Sequence, residues 1–96
     1  MYADDVSIET AKFIRKRRGS KSKPQQQVAN FEEYTRLYRE SWAVPAVRWL
    51  LSCLPTAMIF DDHDVRDDWN TSQAWRDMMW EKPWWKDRIV GGRMSY

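Results

Sequence analysis

Thr56-Ala57-Met58-Ile59-Phe60 is a continuous apolar run that stops abruptly at Asp61-Asp62-His63-Asp64-Val65-Arg66-Asp67-Asp68. That junction constrains the fold more than any other stretch of the chain. An apolar run without alternation suits a short strand covered on both faces, as in an α/β sheet. Functional residues in open α/β sheets gather beyond the carboxyl ends of the strands. Five aspartates and the single histidine of the chain fall in the eight positions 61–68. Carboxylates crowded together repel one another, and a cation relieves that repulsion. Oxygen-rich clusters with an imidazole suit Mg²⁺, Ca²⁺, Mn²⁺ or Fe. The segment therefore points to a metal-dependent hydrolytic centre, or to part of one.

The rest of the chain reads as helical. Ser7 caps a helix over about 8–18, which ends in Arg15-Lys16-Arg17-Arg18 before Gly19. Residues 19–29 are polar, contain Pro24 and read as a surface loop. Asn30 and Glu33 have the spacing of a capping box. Phe31, Tyr34, Leu37, Tyr38 and Trp42 then recur at helical spacing, with Glu32, Glu33, Arg36, Arg39 and Glu40 on the other face. Pro45 opens a helix to about residue 53. Further helices are expected over about 73–81 and from Trp84 to Val90, the last loosened by Gly91-Gly92. The expected fold is thus α/β, mostly helical with one or two buried strands. A lone strand leaves its backbone groups without partners, so those partners are expected outside this chain.

Composition supports that view. Seven Trp, four Tyr and three Phe in 96 residues are more than a core of this size readily covers. The chain reads as a middle slice of a larger domain, with N- and C-terminal parts of that domain as its partners. The formal net charge is only +2, which does not argue for a nucleic-acid or membrane partner. No stretch reaches the roughly 18–20 apolar residues of a membrane span. No signal peptide is visible, which leaves the compartment open. One cysteine, Cys53, excludes an internal disulfide framework; on an apolar helix it reads as a buried, inert thiol. Trp42, Trp49 and Trp75 read as core residues.

Within the acidic segment the residues divide. Asp61 and Asp62 at a strand end are poor candidates for idle carboxylates. Asp67 and Asp68 are expected to decorate the start of the following helix, where negative charge is favourable. His63, flanked by Asp62 and Asp64, is a candidate for phosphate contact or proton delivery, with Asp64 orienting its ring.

The block Pro55-Thr56-Ala57-Met58-Ile59-Phe60-Asp61-Asp62-His63-Asp64-Val65-Arg66-Asp67-Asp68-Trp69-Asn70-Thr71-Ser72 closely resembles the central block of the PhoD-like (alkaline phosphatase D) metallophosphatases. The resemblance extends to Tyr2-Ala3-Asp4-Asp5-Val6-Ser7, to Phe31–Glu40, to Lys82-Pro83-Trp84-Trp85 and to Arg88-Ile89-Val90-Gly91. It implies a calcineurin-like metallophosphoesterase fold, a β-sandwich flanked by helices, with a two-metal centre that hydrolyses phosphate esters. It also implies roles. Asp62 matches a metal-ligand position, His63 the histidine that contacts phosphate, and Asp64 the acid that orients it. Tyr2 matches the tyrosine of a Gly-Asp-x-x-Tyr metal motif, whose Gly and ligating Asp would precede Met1. Asp61 and Asn70 are candidate supporting residues around the metals. The implied cofactors are divalent or trivalent metal ions (Ca, Fe, Mn, Mg or Zn), and the site is incomplete in this chain. Family members are often exported.

A second class of function is a non-catalytic helical interaction module. Arg15 to Lys23 holds six basic residues in nine positions and could meet an anionic partner. It lacks interleaved aromatics, and a solvated helix end accounts for it better.

Overall fold

In the computed structural model, residues 2–96 are described, and the expectation about what precedes Met1 lies outside them. Five helices follow in order: α1 (Ile8–Arg18), α2 (Phe31–Trp42), α3 (Pro45–Cys53), α4 (Gln73–Trp80) and α5 (Trp85–Ser95). A 3-10 turn, Asp62–Asp64, lies between α3 and α4. Each start has a local cause where a capping side chain is present. Ser7 Oγ accepts from Thr10 N, Asn30 Oδ1 from Glu33 N, and Ser72 Oγ from Trp75 N. Pro45 occupies the first turn of α3, where its missing N–H costs nothing.

Among the described residues there is no strand and no sheet. The expected α/β architecture with one or two buried strands, and the β-sandwich implied by the resemblance, are both overturned. The reason is backbone pairing. Residues 56–60 have no second strand to bond to, so the run forms no ladder. Met58 is 50 % exposed and Ile59 88 %. The apolar run is therefore an exposed irregular segment that leads into the acidic loop.

Two small cores hold the molecule together. Ala3, Ile14, Val28, Tyr34 and Leu37 form one, with Val6, Phe13 and Tyr38 packed on it. Val65, Met79 and Trp85 form the other, with Phe60, Trp69, Trp75, Trp84 and Ile89 around them. α2 and α5 make the most extensive helix pairing. Gly91 and Gly92 explain this. A Cβ on Gly91 would lie 2.8 Å from Phe31 N, and one on Gly92 would lie 3.0 Å from the Tyr34 hydroxyl. The glycines do not loosen the last helix, which runs on to Ser95; they let it approach α2.

A buried ion pair ties α1 to α2. Glu33 is fully buried, contrary to its expected place on the solvent face of α2. Its Oε1 accepts from Arg18 Nε at 2.7 Å, and its Oε2 accepts from Ala29 N at 2.8 Å. Arg18 also donates to the carbonyls of Lys23, Pro24 and Gln27. One cation of the basic stretch is thus turned inward to organise the 19–29 loop, which shrinks the surface open to an anionic partner.

α3 buries none of its residues. Trp49 is 68 % exposed, Cys53 is exposed and Trp42 is 40 % exposed. These three do not occupy the core places expected of them; only Trp75 packs inward, against Trp85. The exposed area is 6844 Å², against roughly 5,800 Å² for a folded monomer of this mass. The radius of gyration is 14.4 Å, against about 12.5 Å for a compact domain of this length. The apolar residues of α3 and of 54–59 are among those left exposed. No helix among the described residues is long and apolar enough to cross a membrane.

Candidate metal and phosphate site

The acidic loop is built by short-range hydrogen bonds. Asp61 Oδ1 accepts from His63 N at 2.8 Å, and Asp64 Oδ2 accepts from Asp61 N at 3.0 Å. This reciprocal pair closes the 3-10 turn. Asp62 Oδ1 accepts from His63 N and Asp62 Oδ2 from Asp68 N, both at 3.1 Å. Asp68 and Asn70 adopt positive φ angles of 50° and 67°, conformations that Asp and Asn tolerate better than most residues. The chain therefore folds back after the turn, bringing Asp67 and Asp68 beside Asp62. Helix α4 begins only at Gln73, so Asp67 and Asp68 are not its N-terminal decoration.

The N-terminal segment completes the site. Ala3 is fully buried; its N–H donates to His63 O at 2.9 Å, and its carbonyl accepts from Val28 N at 2.9 Å. That anchoring sets Tyr2 and Asp4 against the loop. The Tyr2 ring lies 4.5 Å from the His63 ring, tilted by 44°. Asp4 Oδ1 lies 3.3 Å from His63 Nδ1, and Asp4 Oδ2 accepts from Asp67 N at 2.7 Å. On the far side of the ring, His63 Nε2 lies 3.4 Å from Asp67 Oδ1.

The electrostatics follow from these contacts. The hydrogen bond to Asp4 raises the His63 pKa above its ordinary 6.5, against the opposing effect of desolvation. Burial pushes Asp4 upward, but the Asp67 amide and the His63 imidazole outweigh it, so its pKa falls below 3.8. The Asp68 amide, with other hydrogen bonds, holds Asp62 below the ordinary carboxylate value.

Because folding raises the His63 pKa, its contribution to stability is complete below pH 6.5 and is lost as pH rises through the folded value. The contribution of Asp4 has the opposite sign: it is present above 3.8 and lost as pH falls through its own lowered value. The pairing is strongest between these limits. In Asp4→Asn, the His63 titration midpoint is expected to fall towards 6.5 when followed by NMR of the ring. An unchanged midpoint would show that another acid holds the imidazole charged.

Asp62, Asp67 and Asp68 place one ligand atom each within 4.8 Å of one another. Three carboxylates on a surface loop fit one hard, oxygen-preferring cation such as Ca²⁺, Mg²⁺ or Mn²⁺. They do not fit a complete two-metal centre, which needs several ligands for each ion.

The structure thus gathers Tyr2, Asp61, Asp62, His63 and Asp64 in one place. Asp61 and Asp64 shape the turn there, and Asp64 is nearly fully buried. Asn70 stands apart, beside Trp69 and Trp75 in a separate cleft. The residue that sequence reasoning missed is Asp4. Its partner is 59 positions away, and the backbone bonds of Ala3 and the Asp67 amide bring the two together.

No family model matches the chain, and neither a curated protein nor a solved structure matches it. Any family reading therefore rests on the residues and on the geometry of this loop.

Proposed function

We propose that the His63 loop is one part of a metal-dependent phosphoesterase centre of the PhoD-like kind, and that the chain by itself is inactive. One observation carries this reading. The chain of contacts Asp4–His63–Asp67 runs directly into the carboxylate trio Asp62, Asp67 and Asp68. Each residue has a task in it. Asp4 holds Nδ1 and favours the charged imidazole. His63 Nε2 is the donor offered to a phosphate oxygen or to the leaving group. Asp67 occupies that nitrogen at rest, and its engagement with a cation frees Nε2 for substrate. The trio with a bound cation would supply positive charge for the phosphate. Tyr2 lies next to the ring, where it can complete a ligand set or cover the imidazole.

The remaining ligands would have to come from other polypeptide, and the apolar face of α3 and residues 54–59 is exposed and open to it. Phosphate esters are the substrate class. The test uses the purified chain with Mg²⁺ and inorganic phosphate as probes. Phosphate should move the His63 ring signals in NMR when the cation is present, and Asp62→Asn should suppress the effect. No hydrolysis of p-nitrophenyl phosphate is expected. Phosphate shifts that ignore both the cation and Asp62 would contradict the site, and clear turnover would contradict the claim that it is incomplete.

A further inference from the structure

Three consecutive carbonyls of the loop, at His63, Asp64 and Val65, each accept a hydrogen bond from a different element. Ala3 N donates to His63 O at 2.9 Å, the Tyr34 hydroxyl of α2 to Asp64 O at 2.8 Å, and Arg88 Nε of α5 to Val65 O at 2.6 Å. Arg88 is fully buried. Its Nη1 donates to Gln27 Oε1 at 2.8 Å, and its guanidinium lies over the Trp84 ring at 5.6 Å. Its Nη2 makes no hydrogen bond of normal geometry, although the Tyr34 hydroxyl lies beside the guanidinium.

A buried cation with an orphaned N–H is costly, and an apolar side chain of similar volume would fill the same space without that penalty. Packing alone does not account for Arg88. Its contact with the loop does. Arg88 reaches the residue that closes the 3-10 turn, two positions after His63, and Tyr34 reaches the residue between them. Gly91 and Gly92 are what bring α5 close enough to α2 for both donors to converge on this loop.

We propose that Arg88 and Tyr34 are positioning residues for His63: by fixing the two carbonyls that follow it, they hold the imidazole between Asp4 and Asp67. This rests on the reading of His63 as the working group of the site. The test needs neither metal nor phosphate, so its failure is separable from failure of the phosphoesterase reading.

The full chain is compared with Arg88→Met, Arg88→Lys and Tyr34→Phe by NMR at one fixed pH. The His63 ring lies against Tyr2, so its resonances report its place through the ring current. In Arg88→Met those resonances should move or split while the helical circular dichroism is kept. Arg88→Lys, which retains a cationic donor, should restore most of the wild-type position. A folded Arg88→Met protein with unchanged His63 resonances, whatever its melting temperature, overturns the proposal and makes Arg88 a core residue only. If Arg88→Met does not fold, Tyr34→Phe decides, because it removes a single hydroxyl. It should shift the same resonances and speed exchange of the Ala3 amide about tenfold. Unchanged resonances there also overturn the proposal.

Discussion

Trp85→Ala should remove about 3–5 kcal/mol of folding stability, the usual loss when a large buried aromatic is truncated. Trp85 is 1 % exposed and is the hub of the second core. Trp75, Trp84 and Trp69 meet it edge-on, at centroid distances of 5.4, 6.0 and 6.5 Å. Such edge-to-face pairs add to the burial of area. Truncation opens a space that three rigid indoles cannot refill, because each is held by its own backbone. A chain of this length has a total stability on the order of 5–15 kcal/mol, and the surplus exposed surface argues for the lower end. Urea unfolding followed by circular dichroism should therefore show Trp85→Ala close to unfolded in water. A loss below about 1 kcal/mol would mean that the tryptophan cluster is not what holds Val65 and the acidic loop against α5.

Glu33→Ala should cost a similar amount, about 3–5 kcal/mol, through a different cause. The loss is not a surface ion pair, which would be worth little. Truncation leaves the Arg18 guanidinium largely buried without its carboxylate and leaves the Ala29 amide without an acceptor. Glu33→Gln keeps an acceptor and most of the volume, so its loss should be clearly smaller. Equal losses for the two variants, measured by the same urea titration, would show that charge is not what matters at this position. Because Arg18 also gathers three carbonyls of the 19–29 loop, the Ala variant should loosen that loop as well. Faster exchange of the Val28 amide, which donates to Ala3, would report it.

These two residues also show what the sequence could and could not disclose. The helix starts were legible because their causes are local: Ser7, Asn30 and Ser72 each satisfy an amide three positions on. The burial of Glu33 was not, because its partner lies on another helix and a Glu in the first turn of α2 looks the same whether exposed or buried. The apolar run 56–60 misled for a related reason. Its pattern specifies a strand only if a second strand is there to pair with it, and none exists among the described residues. Gly91-Gly92 misled in the opposite direction. Low helix propensity costs about 1 kcal/mol per glycine, yet close contact with α2 outweighs it.

The site was half legible. Five aspartates and a histidine in eight positions marked 61–68 as the candidate site, and the structure keeps them together on one loop. Their division of labour was not readable. Asp61 and Asp64 shape the turn, while Asp67 and Asp68, expected at a helix start, join Asp62 instead. That rearrangement depends on positive φ at Asp68 and Asn70, which no spacing rule signals. Asp4, the acid against Nδ1, becomes visible only once Ala3 is seen to bond to His63 and Val28.

Manganese titration of the ¹⁵N-labelled chain tests the central claim most directly, since a bound paramagnetic ion broadens the amides nearest to it. Selective broadening is expected at Asp62 to Asp68 and at the His63 ring, with loss of that selectivity in Asp62→Asn. Broadening spread evenly over exposed acids such as Asp77, Glu81 and Asp87, or unchanged by Asp62→Asn, would contradict it.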